Sequence, residues 1–254
     1  MKRADILLTE KGLCPSRTKA KELIEIGEVE YLFQGEWKKV STSSQKLPED
    51  VELKILDSER LRFVSRAGLK LEGALNDFNI SVQDRYVLDI GQSTGGFTDC
   101  LLQQGAKEVL GFDVGHDQLH KSLKNHPQIK AYEGIHLQDL ASITEIKSWL
   151  DQHLDLVVVD ISFISVISAF EELCQFHGKK FEVLALVKPQ FEVGRENLNR
   201  SGVVKDRKVQ DQVLKNLKLK IEELGFEVSE FKASKLAGRD GNQEFFLFCK
   251  HSNR

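Results

Sequence analysis

Two lysines and two acidic residues, far apart in the chain, stand where side chains can do chemistry. Asp160 and Lys188 each follow an apolar run, Val157-Val158-Val159 and Leu184-Ala185-Leu186-Val187. Glu244 opens a further run, Phe245-Phe246-Leu247-Phe248, and Lys70 lies in an amphipathic stretch beginning at Ser65-Arg66. Buried strands that end in a charged residue deliver it to the carboxyl edge of an open sheet, where such sheets bind ligands. Two amines and two carboxylates gathered there suit removal of a proton from a poor acid, such as a hydroxyl. A lysine serves as the base where a neighbouring cation and partial burial lower its pKa. In that scheme Lys188 is the base, Lys70 the nearby cation, and Asp160 and Glu244 orient them. Taken singly, each has an ordinary reading: a strand-end Asp caps a helix, and a strand-end or helical Lys is solvated.

The elements that must position these four fall into two modules. Residues 1–60 read as a small α+β unit with a linker over 57–61. A helical pattern runs over Arg3–Leu8, and Ser16 caps a second helix over Arg17–Ile26 that stops at Gly27. Val29–Phe33 and Trp37–Val40 flank a hairpin turn, and Val51–Leu56 supplies another strand. Residues 61–254 read as strands alternating with helices, the pattern of a mostly parallel sheet covered on both faces. The expected strands are Tyr86–Ile90, Glu108–Phe112, Ile129–Tyr132, Asp155–Val159, Phe181–Val187, Phe226–Ala233 and Glu244–Cys249. Helices are expected at Thr98–Gln104, Thr144–Leu150 and Lys208–Leu224, among others.

The turn after the first of these strands is glycine-rich: Asp89-Ile90-Gly91-Gln92-Ser93-Thr94-Gly95-Gly96-Phe97. Glycines there let the backbone approach a ligand beside a helix N-terminus. The spacing is not G-x-G-x-x-G, so the dinucleotide fingerprint fails. An acidic residue just before the first glycine suits an amine-bearing ligand better than a pyrophosphate. Asp113, at the end of the second strand, is placed to accept both hydroxyls of a ribose. Together they point to S-adenosylmethionine.

Composition narrows the partners. With 36 Lys+Arg against 39 Asp+Glu the net charge is −3, which excludes a globally basic nucleic-acid binder but not a local patch. The cysteines, Cys14, Cys100, Cys174 and Cys249, are too dispersed for a metal or redox motif and read as reduced thiols. No apolar stretch suits a signal peptide or a membrane span, so a cytoplasmic protein without membrane or metal partners is expected.

With these residues in view, the chain resembles the TlyA family, an S4 RNA-binding domain joined to an FtsJ-like ribose 2′-O-methyltransferase. The first part matches at Arg3-Ala4-Asp5, Gly12, Ser16-Arg17, Ala20, Ile24, Gly27 and Val29. The second matches at Ser65-Arg66, Lys70-Leu71, Asp89–Thr98, Asp113-Val114-Gly115, Asp160–Ser165, Lys188–Glu192 and Gly241–Glu244. The resemblance implies a Rossmann-like α/β methyltransferase domain and a small N-terminal S4-like α+β domain. It implies a Lys-Asp-Lys-Glu tetrad at Lys70, Asp160, Lys188 and Glu244. S-adenosylmethionine would contact Asp89, Gly91, Ser93, Gly95, Gly96, Phe97 and Asp113, with Asp139 standing for the adenine contact. The substrate implied is 16S or 23S ribosomal RNA. Gln92 departs from the family, which has a small residue there.

Phosphate contacts are expected from Arg3, Arg17, Lys19 and Lys21 in the first module and from Arg66 before the first strand. Residues 187–208 read as a mobile basic loop beside Lys188, with Arg195 and Arg200 able to clamp RNA. Mixed charge over residues 1–30, six basic and six acidic, also fits a merely solvated face. Three competing functions follow. A base methyltransferase acting at a pyrimidine C5 needs a nucleophilic Cys in a Pro-Cys context, which neither Cys100 nor Cys249 has. A cytolysin, a name given to members of this family, needs a spanning or long amphipathic segment. A non-catalytic ribosome assembly factor would be expected to have lost part of the tetrad.

Overall fold

The structure is a computed structural model and describes residues 1–57, 61–176, 178–204, 206–238 and 240–251. Most of the expected linker and Lys205 of the basic loop lie outside them. The chain divides into two compact units, Met1–Ser65 and Arg66–Arg254.

In the first unit, β1 (Lys2–Arg3) leads into α1 (Ala4–Glu10), followed by α2 (Arg17–Glu25), β2 (Val29–Phe33), β3 (Glu36–Lys39), β4 (Lys46–Leu47) and β5 (Leu53–Ile55). Ser16 caps α2 as its sequence position predicts, its Oγ accepting from the Lys19 amide at 3.2 Å. Gly27, at φ 75°, ends the helix by letting the Glu28 amide reach back to the Leu23 carbonyl. Strands β3-β2-β5 form an antiparallel sheet and β1 pairs with β4, a pairing of two residues per strand too short for any periodicity to reveal. Leu7, Leu8, Leu23, Ile24, Val29, Leu47 and Leu53 close the core.

The second unit holds α3 (Arg66–Asp77), β6 (Tyr86–Ile90), α4 (Gly96–Gln103), β7 (Glu108–Asp113), β8 (Ile129–Glu133), α5 (Thr144–His153), β9 (Leu156–Val159), α6 (Ile167–Leu173), β10 (Phe181–Val187), α7 (Pro189–Glu192), α8 (Arg207–Glu223), β11 (Phe226–Ala233) and β12 (Phe245–His251). Seven strands form one sheet in the order β11-β12-β10-β9-β6-β7-β8. Pairing is parallel from β8 to β10, and β12 runs antiparallel to both its neighbours. Because strand side chains alternate, Leu88, Ile90, Val157, Val159, Val183 and Ala185 face one side, against α5, α6 and α8. The opposite face carries Val87, Asp89 and Phe246, with Phe97 of α4 stacked on Phe246.

Strand order reverses between β6 and β9. Chains leaving these neighbours turn to opposite sides, and the crevice between their carboxyl ends is where open α/β sheets take ligands.

Candidate active site

Two loops meet at that crevice. After β6, Gly91 at φ 86° turns the chain so closely over β9 that a Cβ there would lie 2.5 Å from the Asp160 carbonyl oxygen. Gly95, at φ 87°, leads into α4, and a side chain there would strike Leu119 and Leu123. Both positions need glycine for conformation and for space. Ser93 adopts φ 47°, and its amide donates to Asp113 Oδ2 at 2.9 Å while the Gly115 amide donates to Oδ1 at 2.8 Å. Two backbone donors thus fix the Asp113 carboxylate, and each oxygen keeps capacity to accept another hydrogen bond.

Asp89 is fully buried. Its Oδ2 accepts from Thr98 Oγ1 at 2.6 Å, and Thr98 in turn accepts from Gln92 Nε2 at 2.8 Å. Oδ1 has no hydrogen-bond partner within the protein. Burial pushes the Asp89 carboxyl up to about 7; the Thr98 hydrogen bond opposes the rise, and the charges of Asp160 and Asp113 add to it. A buried carboxylate with an unpartnered oxygen, beside a glycine turn with no side chain to fill it, fits a ligand that brings a cationic donor group. Gln92 turns inward across Gly111, where a Cβ would come within 2.1 Å of its Nε2, and completes the hydrogen-bond chain to Asp89.

On the other side of the switch point, Asp160 follows β9 and Lys188 follows β10, with Asp160 Oδ1 2.6 Å from Lys188 Nζ. Lys188 also donates to Ser162 Oγ at 2.8 Å. Val187 pairs with Phe245 at the end of the β10–β12 ladder, so Lys188 and Glu244 occupy the next register positions beyond it. Glu244 is buried and joined to Lys70 of α3 by a hydrogen-bonded ion pair, and its carboxylate lies against Gly238. The tetrad residues therefore sit at one sheet edge as two ion pairs, Lys70–Glu244 and Lys188–Asp160.

Of the remaining expected positions, the Phe97 side chain and Lys19 are committed elsewhere by packing. Phe97, 2% exposed, packs in the core with its ring stacked 6.3 Å from Phe246; its side chain is committed to the α4–sheet interface rather than to a ligand. Gly96 is buried at the start of α4. Asp139 lies in the first turn of a 3-10 helix over Leu137–Ser142. In the first unit, Lys19 is only 5% exposed, its ammonium buried 3.6 Å from Glu22, so it is not offered to a phosphate as expected. Arg3 and Arg17 converge on the buried Asp5, at 2.9 Å each, and Lys21 is an exposed partner of Glu25. The Arg3 and Arg17 guanidiniums hold the Asp5 carboxyl below its usual range. Arg66 opens α3, and Arg195 and Arg200 are exposed.

The segment 194–204 is not the free loop expected. Asn199 closes a turn by accepting from the amides of Ser201 and Val203, at 2.9 and 2.8 Å. The buried Asn242 pins the turn, accepting from the Val204 amide at 3.0 Å and donating to the Gly202 carbonyl at 3.0 Å. Sequence reasoning missed Asn242, Thr98, Ser162 and Phe163. Phe163 has φ 70°, a strained value for an aromatic residue, and is 88% exposed beside the Lys188 pair. The Asp160-Ile161-Ser162-Phe163 block was visible in the sequence, but nothing in it distinguished an outward ring from a core one.

Fold and site together define a methyltransferase. The FtsJ-like methyltransferase model matches residues 63–251. The chain is 38% identical over 248 residues to the 16S/23S rRNA (cytidine-2′-O)-methyltransferase TlyA of Mycobacterium tuberculosis, covering 98% of this chain and 89% of that one. It is 35% identical over 247 residues to Hemolysin A of Brachyspira hyodysenteriae, covering 96% and 97%. A Streptococcus thermophilus protein solved under a provisional hemolysin name superposes with a TM-score of 0.74 at 36% identity, over 99% of this chain and 89% of that one. The chain belongs to the FtsJ-like methyltransferases, in their TlyA branch. The cofactor that goes with this fold and family is S-adenosylmethionine. Among the described residues no helix is long and apolar enough to cross a membrane.

Proposed function

We propose that this protein methylates a ribose 2′-hydroxyl of ribosomal RNA, with Lys188 as the general base. The observation that carries the reading is the Lys188–Asp160 pair, one strand from the unpartnered oxygen of Asp89 at the switch point. The TlyA relative acts on 16S and 23S rRNA at the cytidine 2′-oxygen, and the same chemistry suits this site.

S-adenosylmethionine, when bound, supplies an electrophilic methyl group on a positively charged sulfur. Asp89 and the turn over Gly91, Ser93, Gly95 and Gly96 hold it. Asp113 accepts from its ribose, and Asp139 is assigned to the adenine contact. Asp160 and Ser162 fix the Lys188 amine from two directions, so that it meets a hydroxyl in one orientation. Lys188 Nζ enters the step as the neutral amine and takes the hydroxyl proton as the oxygen is alkylated, leaving the ammonium paired with Asp160; general-base assistance of this kind contributes about 10²–10⁴-fold. The buried Lys70–Glu244 pair places a fixed cation at the same edge without exposing it to the RNA.

The exposed ring of Phe163 offers a face on which a base can stack when its nucleotide is turned into the crevice. Held together by Asp5, Arg3 and Arg17 give the first unit a compact cationic patch, and we read that unit as an S4-like RNA-binding domain. Lys21, Arg66, Arg195 and Arg200 would add backbone contacts. Lys19 and the Phe97 side chain are not part of this assignment.

The test is transfer of labelled methyl from S-adenosylmethionine to ribosomal subunits lacking the modification, with nuclease digestion and mass spectrometry to locate the label. Label on a ribose supports the reading and identifies the nucleotide. Label on a base sinks the tetrad mechanism, and no label on either subunit, with donor binding intact, favours an assembly factor.

A further inference from the structure

The segment 160–166 after β9 and the segment 188–192 after β10 are tied together at both ends. At the near end lie the Lys188 contacts to Asp160 and Ser162. In the middle the Phe163 and Phe191 rings lie 5.2 Å apart, tilted at 49°. At the far end, Glu192 Oε2 accepts from Ser165 Oγ at 2.6 Å and Oε1 accepts from the Val166 amide at 2.8 Å. Ser165 Oγ further accepts from the Ile167 amide at 3.2 Å, so the link runs into the first turn of α6.

We propose that Glu192 is a positioning residue: its carboxylate latches the 160–166 segment to the 188–192 segment and so holds Asp160, Ser162 and the Phe163 ring where Lys188 needs them. The proposal rests on the reading of Lys188–Asp160 as the reacting pair. Three features support it. Phe163 keeps a left-handed backbone conformation that costs free energy for a bulky residue, and such strain persists only where surrounding contacts over-determine it. Glu192 supplies two of those contacts at Ser165 and Val166, two and three residues beyond the strained position. A helix cap alone needs no charge, since a neutral Ser or Asn serves as well. Burial raises the Glu192 carboxyl, and the Ser165 and Val166 hydrogen bonds, with the Lys220 charge behind them, oppose that rise, so the latch contacts themselves favour the ionised group.

The experiment compares full-length wild type with Glu192→Gln, Ser165→Ala, Ser165→Thr and Lys188→Ala on ribosomal subunits lacking the methyl group, reading kcat, both KM values and Tm. Glu192→Gln is expected to lower kcat by about 10- to 100-fold, the scale of a small misplacement of reacting groups. Donor KM and Tm should stay near wild type. Ser165→Ala removes one arm of the latch on a milder scale, and Ser165→Thr, which keeps the hydroxyl, restores kcat. An unchanged kcat in Glu192→Gln and Ser165→Ala overturns the proposal. So does a kcat loss that merely tracks the fraction unfolded in both variants. Lys188→Ala separates the two claims. If it is inactive while Glu192→Gln turns over normally, only the latch fails; if it retains full activity, the reacting pair itself is misassigned and the latch falls with it.

Discussion

The two halves of the crevice are built from different materials. The donor half, after β6 and β7, is shaped by backbone: Gly91, Ser93 and Gly95 at positive φ, with amides of Ser93 and Gly115 turned onto Asp113. The acceptor half, after β9 and β10, is shaped by side chains: an ion pair, a serine, two rings and a carboxylate latch. A turn that must hold one ligand in one pose gains from a fixed main chain, whose conformation does not relax. A surface that must receive a nucleotide and release it gains from side chains on neighbouring strand ends, whose spacing the sheet sets at about 4.8 Å per strand. Backbone-built and side-chain-built sites should fail differently when altered, and that difference can be tested.

The largest expected effect is on the side-chain half. Lys188→Ala should lower kcat by about 10²–10⁴-fold, the range of a lost general base, while donor affinity measured by calorimetry stays near wild type. A parallel loss of donor affinity would break the division of labour between the halves. The corresponding change on the backbone half is Gly91→Ala. It meets the Asp160 carbonyl at 2.5 Å and forces a side chain into a left-handed conformation. Strain of about 1–3 kcal/mol is expected, seen as a lower Tm and weaker donor binding together. If Gly91→Ala lowers kcat alone, the turn is not what holds the donor.

A third effect sharpens the comparison through pH. Asp89 has its carboxyl raised from 3.8 to about 7, chiefly by burial. A raised acid contributes stability to the ligand-free protein fully below its ordinary value, and that contribution is lost as pH rises through 7. A cationic donor reverses the preference, because it favours the ionised form. Donor affinity should therefore fall as pH drops below 7, by at most about tenfold per unit, with a proton released on binding. Calorimetry in buffers of different ionisation enthalpy measures that proton directly. Asp89→Asn should flatten the profile, and an unaltered profile in that variant assigns the titration to another group.

The same contrast explains what was legible in the sequence. Strands β6 and β10 have the bounds their apolar runs predict, because buried central strands leave a continuous signal; the edge strand β11 also has its expected bounds, carried by the alternation of Phe226, Glu227 and Val228 rather than by a continuous run. The donor turn was legible for a related reason: a backbone that needs positive φ writes glycines at the positions concerned. The acceptor half left weaker marks. That Lys70 reaches Glu244 rather than Lys188 depends on how α3 packs, over a separation of 174 residues that no spacing rule spans. Asn242 and Glu192 looked like ordinary polar residues, and only their partners reveal the pinned turn and the latch. The error at Lys19 has a clear cause: helix α2 has basic residues on more than one side, and charge alone does not say which side faces inward.

The smallest expected effect concerns Phe97, which lies in the donor turn by sequence and in the core by structure. Its ring is buried against Phe246, on the face of the sheet that α4 covers. Phe97→Leu keeps an apolar side chain of similar size and should cost less than about 1.5 kcal/mol of stability, read as a shift of a few degrees in Tm. Donor affinity and kcat should hold, because the turn is set by Gly91, Ser93 and Gly95 and not by the ring. A loss of donor affinity without a change in Tm would place the ring in the ligand site, beside Asp89. The variant therefore tests the boundary between the two halves at the residue where sequence position and packing disagree.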